Sequence, residues 1–223
     1  VLRSITGHLP LMGGAVVLDG KPLEKYSSKQ LARKIACLSQ TNTSPEDMTV
    51  RRLVGFGRVP HRKWDFSPLT DADRRAIDDA LLFTGADMLQ NSLVSDLSGG
   101  ERQRVWLAMV IAQEPDILLL DEPTTYLDVR HQLEIMELLR HLNEKRRTTI
   151  VMVLHDLNQA IKYSDQLIVM RRGEIYSQGA PAKVCTEQML EEVYGLKCVL
   201  DVDDEGLLNI SSMRLSRELS FDE

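Results

Sequence analysis

The most telling absence in this 223-residue sequence is a phosphate loop: no G-x-x-x-x-G-K-[ST] occurs anywhere in it. Cysteine is scarce, with only Cys37, Cys185 and Cys198 and no C-x-x-C pair. That excludes a disulfide framework and a structural zinc site and fits a reduced, cytosolic compartment. No apolar run approaches the roughly 20 residues that span a bilayer, and no signal-peptide pattern is visible. A basic excess is also missing. The formal net charge of −6 argues against nucleic acid as the main partner. There is no internal repeat. Nor does the chain begin with Met: Val1-Leu2-Arg3-Ser4-Ile5 reads as the interior of a helix, so the natural N-terminus is expected upstream. What remains is an ordinary apolar fraction of 43%, in a chain long enough for one domain or one domain with a sub-domain.

Along the chain, strand and helix patterns alternate. Residues 1–9 read as helical up to Gly7-His8-Leu9-Pro10, and Ala15 to Leu18 as a strand turning at Asp19-Gly20. Ser27 and Gln30 stand at capping-box spacing before a short helix. Ile35-Ala36-Cys37-Leu38 is an apolar run that reads as a buried strand, with Gln40 just past its end. From Asn42 to about Asp96 helical patterns dominate, which suggests a helical sub-domain set into a strand-rich core. Within it, Thr70 caps a helix that Gly85 closes, with Ile77, Ala80, Leu81 and Thr84 on one face. A helix over Ser98–Gln113 is stopped by Pro115. Ile117-Leu118-Leu119-Leu120 is continuously apolar, as a central parallel strand covered on both faces must be.

A helix over 129–144 follows, with Ile135, Leu138, Leu139 and Leu142 at helical spacing, then a strand from Thr149 ending at His155. A helix over 156–163, a strand from Gln166 to Met170, a turn at 171–174 into Ile175-Tyr176-Ser177 and a helix from Thr186 to Tyr194 complete the readable part. The acidic stretch after Asp201 gives no clear pattern. The alternation predicts an α/β fold with a parallel sheet. It divides the chain into core (1–41), helical sub-domain (42–98), core (99–200) and C-terminal tail (201–223).

Open parallel sheets place ligands at the C-terminal ends of their strands. Three such ends are polar here: Gln40, Asp121-Glu122 and His155. A strand-end carboxylate such as Asp121 can hold Mg²⁺, which prefers oxygen ligands and keeps several waters. Glu122, one residue on, points elsewhere and can polarise an attacking water. His155 can hydrogen-bond a terminal phosphate, and Gln40 can reach either the metal or the water. Any one of them could be a solvated loop residue; the set, each after an apolar strand, points to nucleotide chemistry. Ser98-Gly99-Gly100 adds two glycines at a helix start, where backbone N–H groups and the helix dipole favour an anion. Alone it is a weak signal, since Ser-Gly-Gly-Glu is also capping chemistry.

Together these residues resemble one family. Leu97-Ser98-Gly99-Gly100-Glu101, with Arg102-Gln103-Arg104, resembles the signature of ATP-binding cassette (ABC) ATPases. Leu118 to Thr124 resembles their Walker B strand, Tyr126-Leu127-Asp128 their D-loop, Gln40 their Q-loop glutamine and His155 their switch histidine. The resemblance implies a P-loop NTPase-like (RecA-like) parallel-sheet core, N-terminally truncated, because the family's phosphate loop would lie upstream of Val1. It implies ATP and Mg²⁺ as cofactors, with Asp121 and Gln40 as metal residues, Glu122 as general base and His155 on the γ-phosphate. Ser98, Gly99, Gly100, Glu101 and Asp128 would serve ATP held by a second copy in a head-to-tail dimer. Implied partners are transmembrane permease subunits and, indirectly, a substrate-binding protein, with the chain peripheral to the cytoplasmic side of the inner membrane.

Gly57-Arg58-Val59-Pro60-His61 and Thr124 to Gln132 look like importers of iron-siderophore complexes, haem and vitamin B12, in which the first segment faces the membrane subunits. Two other readings stay open. One is a DNA-repair or chromosome-type ABC ATPase, although the compact stretch between Gln40 and Ser98 shows no coiled-coil heptads and the acidic balance disfavours DNA. The other is a catalytically impaired regulatory subunit, although Glu122 and His155 are both present.

Overall fold

The computed structural model describes residues 2–7, 9–63, 67–204 and 206–216; Val1, His8 and the end of the acidic stretch, on which some of the sequence expectations fall, lie outside the described residues. The chain forms two compact units, Val1–Val153 and Leu154–Glu223.

In the first unit the backbone is organised by one apolar strand. β3 (Ile35–Leu38), β4 (Ile117–Asp121) and β5 (Thr149–Val153) form a parallel sheet in that order, with β4 central. Leu118, Leu119 and Leu120 are almost wholly buried, because a strand flanked by two others and covered on both faces has no polar side to offer. The register aligns Leu38 with Leu120 and Asp121 with Val153, so the strand ends that carry polar residues fall together. This is the RecA-like parallel core that the alternation of strands and helices predicts.

Helices surround the sheet with the expected signals. α1 (Leu2–Ile5) is shorter than the sequence suggests, since Gly7 turns left-handed at φ +75° soon after it. The predicted first strand shrinks to β1 (Val17–Leu18), which turns at Asp19-Gly20 and pairs with β2 (Lys21–Pro22). α2 (Ser28–Lys34) carries the full Ser27–Gln30 capping box. α3 (Val50–Gly55) and α4 (Asp71–Phe83) both pack on α5 (Gly99–Ala112). On α4 the predicted face is buried in full, and Thr70 and Asp73 form its capping box. α6 (Val129–Arg146) buries Ile135, Met136, Leu139 and Leu142. Met136 takes the place expected of Leu138, which lies only half-buried.

In one short segment an arginine turns inward. Phe56–His61 is a 3₁₀ turn, and its Arg58 is 5% exposed. The guanidinium donates to Asp73 Oδ1 (3.0 Å), Glu114 Oε2 (2.7 Å) and the carbonyl of Ala112 (2.6 Å). His61 Nε2 lies 2.8 Å from the carbonyl of Gln113. Gly57 allows the turn to close on α5, since a β-carbon there would lie 3.1 Å from Gln113 N and closer still to the carbonyl oxygen of Met109. These side chains therefore bind the end of α5.

The second unit has its own core. α7 (Leu157–Tyr163) is capped by Asp156; β6 (Leu167–Arg171) and β7 (Glu174–Gly179) form a hairpin through Arg172-Gly173, both at positive φ. α8 (Pro181–Val184) and α9 (Glu187–Met189) follow, the latter running into a π turn closed by Gly195. The stretch that is unreadable from the sequence completes an antiparallel hairpin, β8 (Leu196–Val202) with β9 (Leu208–Leu215). Ile161, Val169, Val184, Cys185, Met189, Leu190 and Ile210 make the core. Asn158 ties α7 to β9 by bonding both the N–H and the carbonyl of Ile210. Burial pushes the Cys185 thiol above its ordinary range.

Candidate nucleotide site

The site is built where β3 and β4 end. Asp121 closes β4, half-buried, and Glu122 follows in the left-handed region at φ +54°. A non-glycine residue pays steric strain there. Gln40, just beyond β3, meets it: Gln40 Nε2 donates to Glu122 Oε2 at 2.6 Å. Thr125 Oγ donates to the same oxygen at 3.0 Å, and the Thr125 N–H to the Glu122 carbonyl at 3.3 Å. Two donors on one oxygen fix the carboxylate's orientation, which a base needs before it can take a proton from a positioned water. The parallel register therefore brings together Gln40, Asp121 and Glu122 as the sequence suggests. Thr125 was not foreseen; its spacing of three from Glu122 in a turn was the available signal.

Ser98 opens α5. Its hydroxyl donates to Glu101 Oε2 at 2.6 Å, its N–H donates to the same oxygen at 3.0 Å, and it accepts from the Glu101 N–H at 3.4 Å. The hydroxyl and N–H of Ser98 hold the Glu101 carboxyl below its usual range. With those groups paired, the N–H groups of Gly99 and Gly100 are the donors at the open end of the helix. Gln103 Nε2 donates to the Pro123 carbonyl at 2.9 Å, tying this helix to the turn after Glu122.

Asp128 caps α6, accepting from the His131 N–H at 2.9 Å, and its other oxygen lies 2.9 Å from His131 Nδ1. That backbone bond, with the ring behind it, holds the Asp128 carboxyl below its ordinary value. Gln103 lies in the signature segment and His131 in the importer-like segment, but the sequence gives no sign of the contacts they make. His155, the remaining predicted residue, lies at the start of the second unit, next to the Asp156 cap of α7.

The donor set suits Mg²⁺. Among the described residues no three His, Cys, Asp or Glu side chains gather into a metal cluster. A Mg²⁺ ion that travels with nucleotide needs only one or two protein oxygens, and Asp121 with the amide oxygen of Gln40 can supply them. Among the described residues no helix is long and apolar enough to cross a membrane.

Comparison with known proteins agrees with this geometry. A family profile described as "ABC transporter" matches residues 1–125. The ferric enterobactin transport ATP-binding protein FepC of Escherichia coli (strain K12) is 45% identical over 204 residues, covering 92% of this chain and 74% of that protein. Among solved structures, cbiO1 from Clostridium perfringens, part of the ABC transporter complex cbiONQ, superposes with a TM-score of 0.70. It shares 31% identity, covering 86% of this chain and 75% of that one. The dimeric structure of the bacterial ABC transporter cassette MJ0796 superposes with a TM-score of 0.68 at 26% identity, covering 81% and 78%. These likenesses decide against the DNA-repair reading: the chain belongs to the ABC transporter family, as one of its ATP-binding and ATP-hydrolysing subunits.

Proposed function

We propose that this subunit powers import of an iron(III)-siderophore or a related metal chelate. The likeness to a ferric enterobactin transport protein supports the cargo class, as does the resemblance of residues 57–61 and 124–132 to such importers. In this reading Glu122 is the general base that takes the proton of the attacking water, and the observation that carries it is the 2.6 Å bond from Gln40. Asp121 and the Gln40 amide oxygen hold Mg²⁺, which when bound neutralises charge on the phosphates. His155 hydrogen-bonds the γ-phosphate.

Ser98, Gly99, Gly100, Glu101 and Asp128 serve ATP gripped by a second copy, set head to tail. The dimeric cassette and the cbiONQ component support an ATPase pair working with permease subunits. A substrate-binding protein delivers the cargo, and the pair sits on the cytoplasmic face of the inner membrane. Residues 42–98 form the helical sub-domain of this arrangement, between core segments 1–41 and 99–200, with 201–223 as the tail.

The test is Glu122→Gln in a form of the protein that includes a phosphate loop. Losing the base while keeping the Gln40 contact traps a Mg-ATP-dependent dimer, visible by light scattering. A variant that hydrolyses and dissociates like the parent removes Glu122 from the role.

A further inference from the structure

The Ser98–Gly100 turn and the Asp128 turn are far apart in sequence, yet one side chain touches both. The His131 ring lies against Gly100: a β-carbon there would stand 2.7 Å from Cγ and 2.8 Å from Nε2 of the imidazole. Real β-carbons do not come that close to a packed ring, so the space over Gly100 is taken by His131. The same ring holds Asp128 through Nδ1, at 2.9 Å from Oδ2. An ionised carboxylate only accepts, so Nδ1 carries the proton.

The two turns have other ties: the Leu127 side chain lies beside Gly99, where a β-carbon would meet its Cδ2 at 3.9 Å. Gln103 bonds the Pro123 carbonyl at 2.9 Å, and Gln132 Nε2 donates to the Leu127 carbonyl at 3.0 Å. These bonds steady the loop on either side of Tyr126, itself at φ +66°. The imidazole touches a residue of each turn, Gly100 by contact and Asp128 by hydrogen bond.

We propose that His131 is a positioning residue that locks the Asp128 turn to the Ser98-Gly99-Gly100 turn, so that a phosphate engaged at one fixes the other. The proposal rests on the reading above, in which both turns serve ATP held by a second copy. It gives Gly100 a second duty besides close approach to an anion: it leaves room for the ring. It also separates two functions within one side chain. The ring's bulk supports Gly100, and its Nδ1–H holds Asp128.

Substitutions divide these functions. His131→Ala removes both, His131→Phe keeps bulk without the bond, and His131→Gln keeps a donor that can reach the carboxylate. The contact itself is tested on the 223-residue chain by a urea-unfolding cycle of Gly100→Ala and His131→Ala. Gly100→Ala lowers the unfolding midpoint with His131 in place and leaves it nearly unchanged with alanine at 131. Additive effects overturn the contact and the proposal with it.

The coupling is tested in a phosphate-loop-containing form that also carries Glu122→Gln. His131→Ala and His131→Phe raise the Mg-ATP concentration for half-maximal dimerisation at least tenfold, while fluorescent-nucleotide binding to the monomer stays within twofold. His131→Gln restores dimerisation to within about threefold. A purely structural role would not spare monomer binding or distinguish Gln from Phe. Dimerisation of His131→Ala equal to the parent, or full recovery by His131→Phe, overturns the coupling. A parent that never dimerises refutes the head-to-tail reading first and takes the coupling down with it.

Discussion

Gln40 and Glu122, each just past the end of its own strand, are joined by a 2.6 Å hydrogen bond between Nε2 and Oε2. The parallel register of β3 and β4, with Leu38 opposite Leu120, makes that possible. The amide nitrogen orients the carboxylate while the amide oxygen keeps its lone pairs for a cation. Gln40→Ala should therefore lower the turnover of a phosphate-loop-containing form by about 10- to 100-fold. That is the scale of a lost hydrogen bond to a charged group, roughly 1.5–3 kcal/mol. Steady-state ATPase assays check it, and a change confined to KM would contradict the orienting role.

Thr125 supplies the second donor to the same oxygen, at 3.0 Å. Thr125→Val keeps the shape and deletes the hydroxyl. The expected result is a turnover reduced about 10-fold, the lower end of the same charged-group range of roughly 1.5–3 kcal/mol, since this bond is longer than that of Gln40. Thr125→Ser should stay near parental activity, which separates loss of the donor from loss of packing.

Much of this site was legible because its chemistry lies at the ends of apolar strands. Ile117 to Leu120 had to be a buried strand, so Asp121 and Glu122 had to emerge at its edge. Ser27 announced its helix through capping-box spacing, Thr70 and Ser98 theirs as caps, and all three form full boxes. What stayed hidden depended on tertiary contact. Nothing in Gly57-Arg58 shows that Arg58 turns inward to Asp73, because a charged residue in a Gly-Pro segment reads as solvated. His131 lies within the importer-like segment, but only the carboxylate three residues earlier hints at what it touches. The β8–β9 hairpin was obscured by its many exposed polar positions, which blur a period-two pattern. Its inward residues show only once Leu200, Leu208 and Ile210 are seen against the second core.

The Arg58–Asp73 pair should matter to stability more than to catalysis. Both side chains are about 6% exposed, and removing one partner leaves a buried charge uncompensated, at a cost of about 3–5 kcal/mol. Arg58→Ala should lower the urea midpoint by that measure, while Arg74→Ala, whose partner Asp71 is exposed, should stay within about 0.5 kcal/mol. Equal effects would mean the buried pair is not special.

The same pair sets an acid limit. Burial favours the neutral form of Asp73, but the Thr70 hydroxyl and N–H and the Arg58 guanidinium outweigh it and hold the carboxyl at about 2. A carboxylate lowered on folding contributes stability that is complete above its unfolded value of about 3.9 and is lost as pH falls through its folded one. The unfolding midpoint should hold steady from pH 7 to about 4 and then fall between about pH 4 and 2. Asp73→Asn, weaker throughout, should show a shallower fall in that window. An unchanged slope would place the acid sensitivity elsewhere.

Two neighbouring glycines give a sharp contrast. A β-carbon on Gly55 would meet only Ile77 Cδ1 at 3.7 Å, an ordinary contact, in a residue with helical φ −59° and ψ −24°. Gly55→Ala should be neutral or stabilising by up to about 1 kcal/mol, since alanine loses less entropy in a helical conformation. On Gly57 the same carbon would run into the Met109 carbonyl oxygen and crowd Ala112 Cβ at 3.2 Å. Those atoms belong to α5 and cannot swing aside, so Gly57→Ala should cost at least 1–3 kcal/mol by the usual scale of about that size for overpacking. Because Gly57 also seats Arg58, the loss should be smaller in an Arg58→Ala background, where the turn is already free to shift. A double-mutant cycle on unfolding midpoints measures that coupling, and strict additivity would show that the backbone clash and the ion pair act independently.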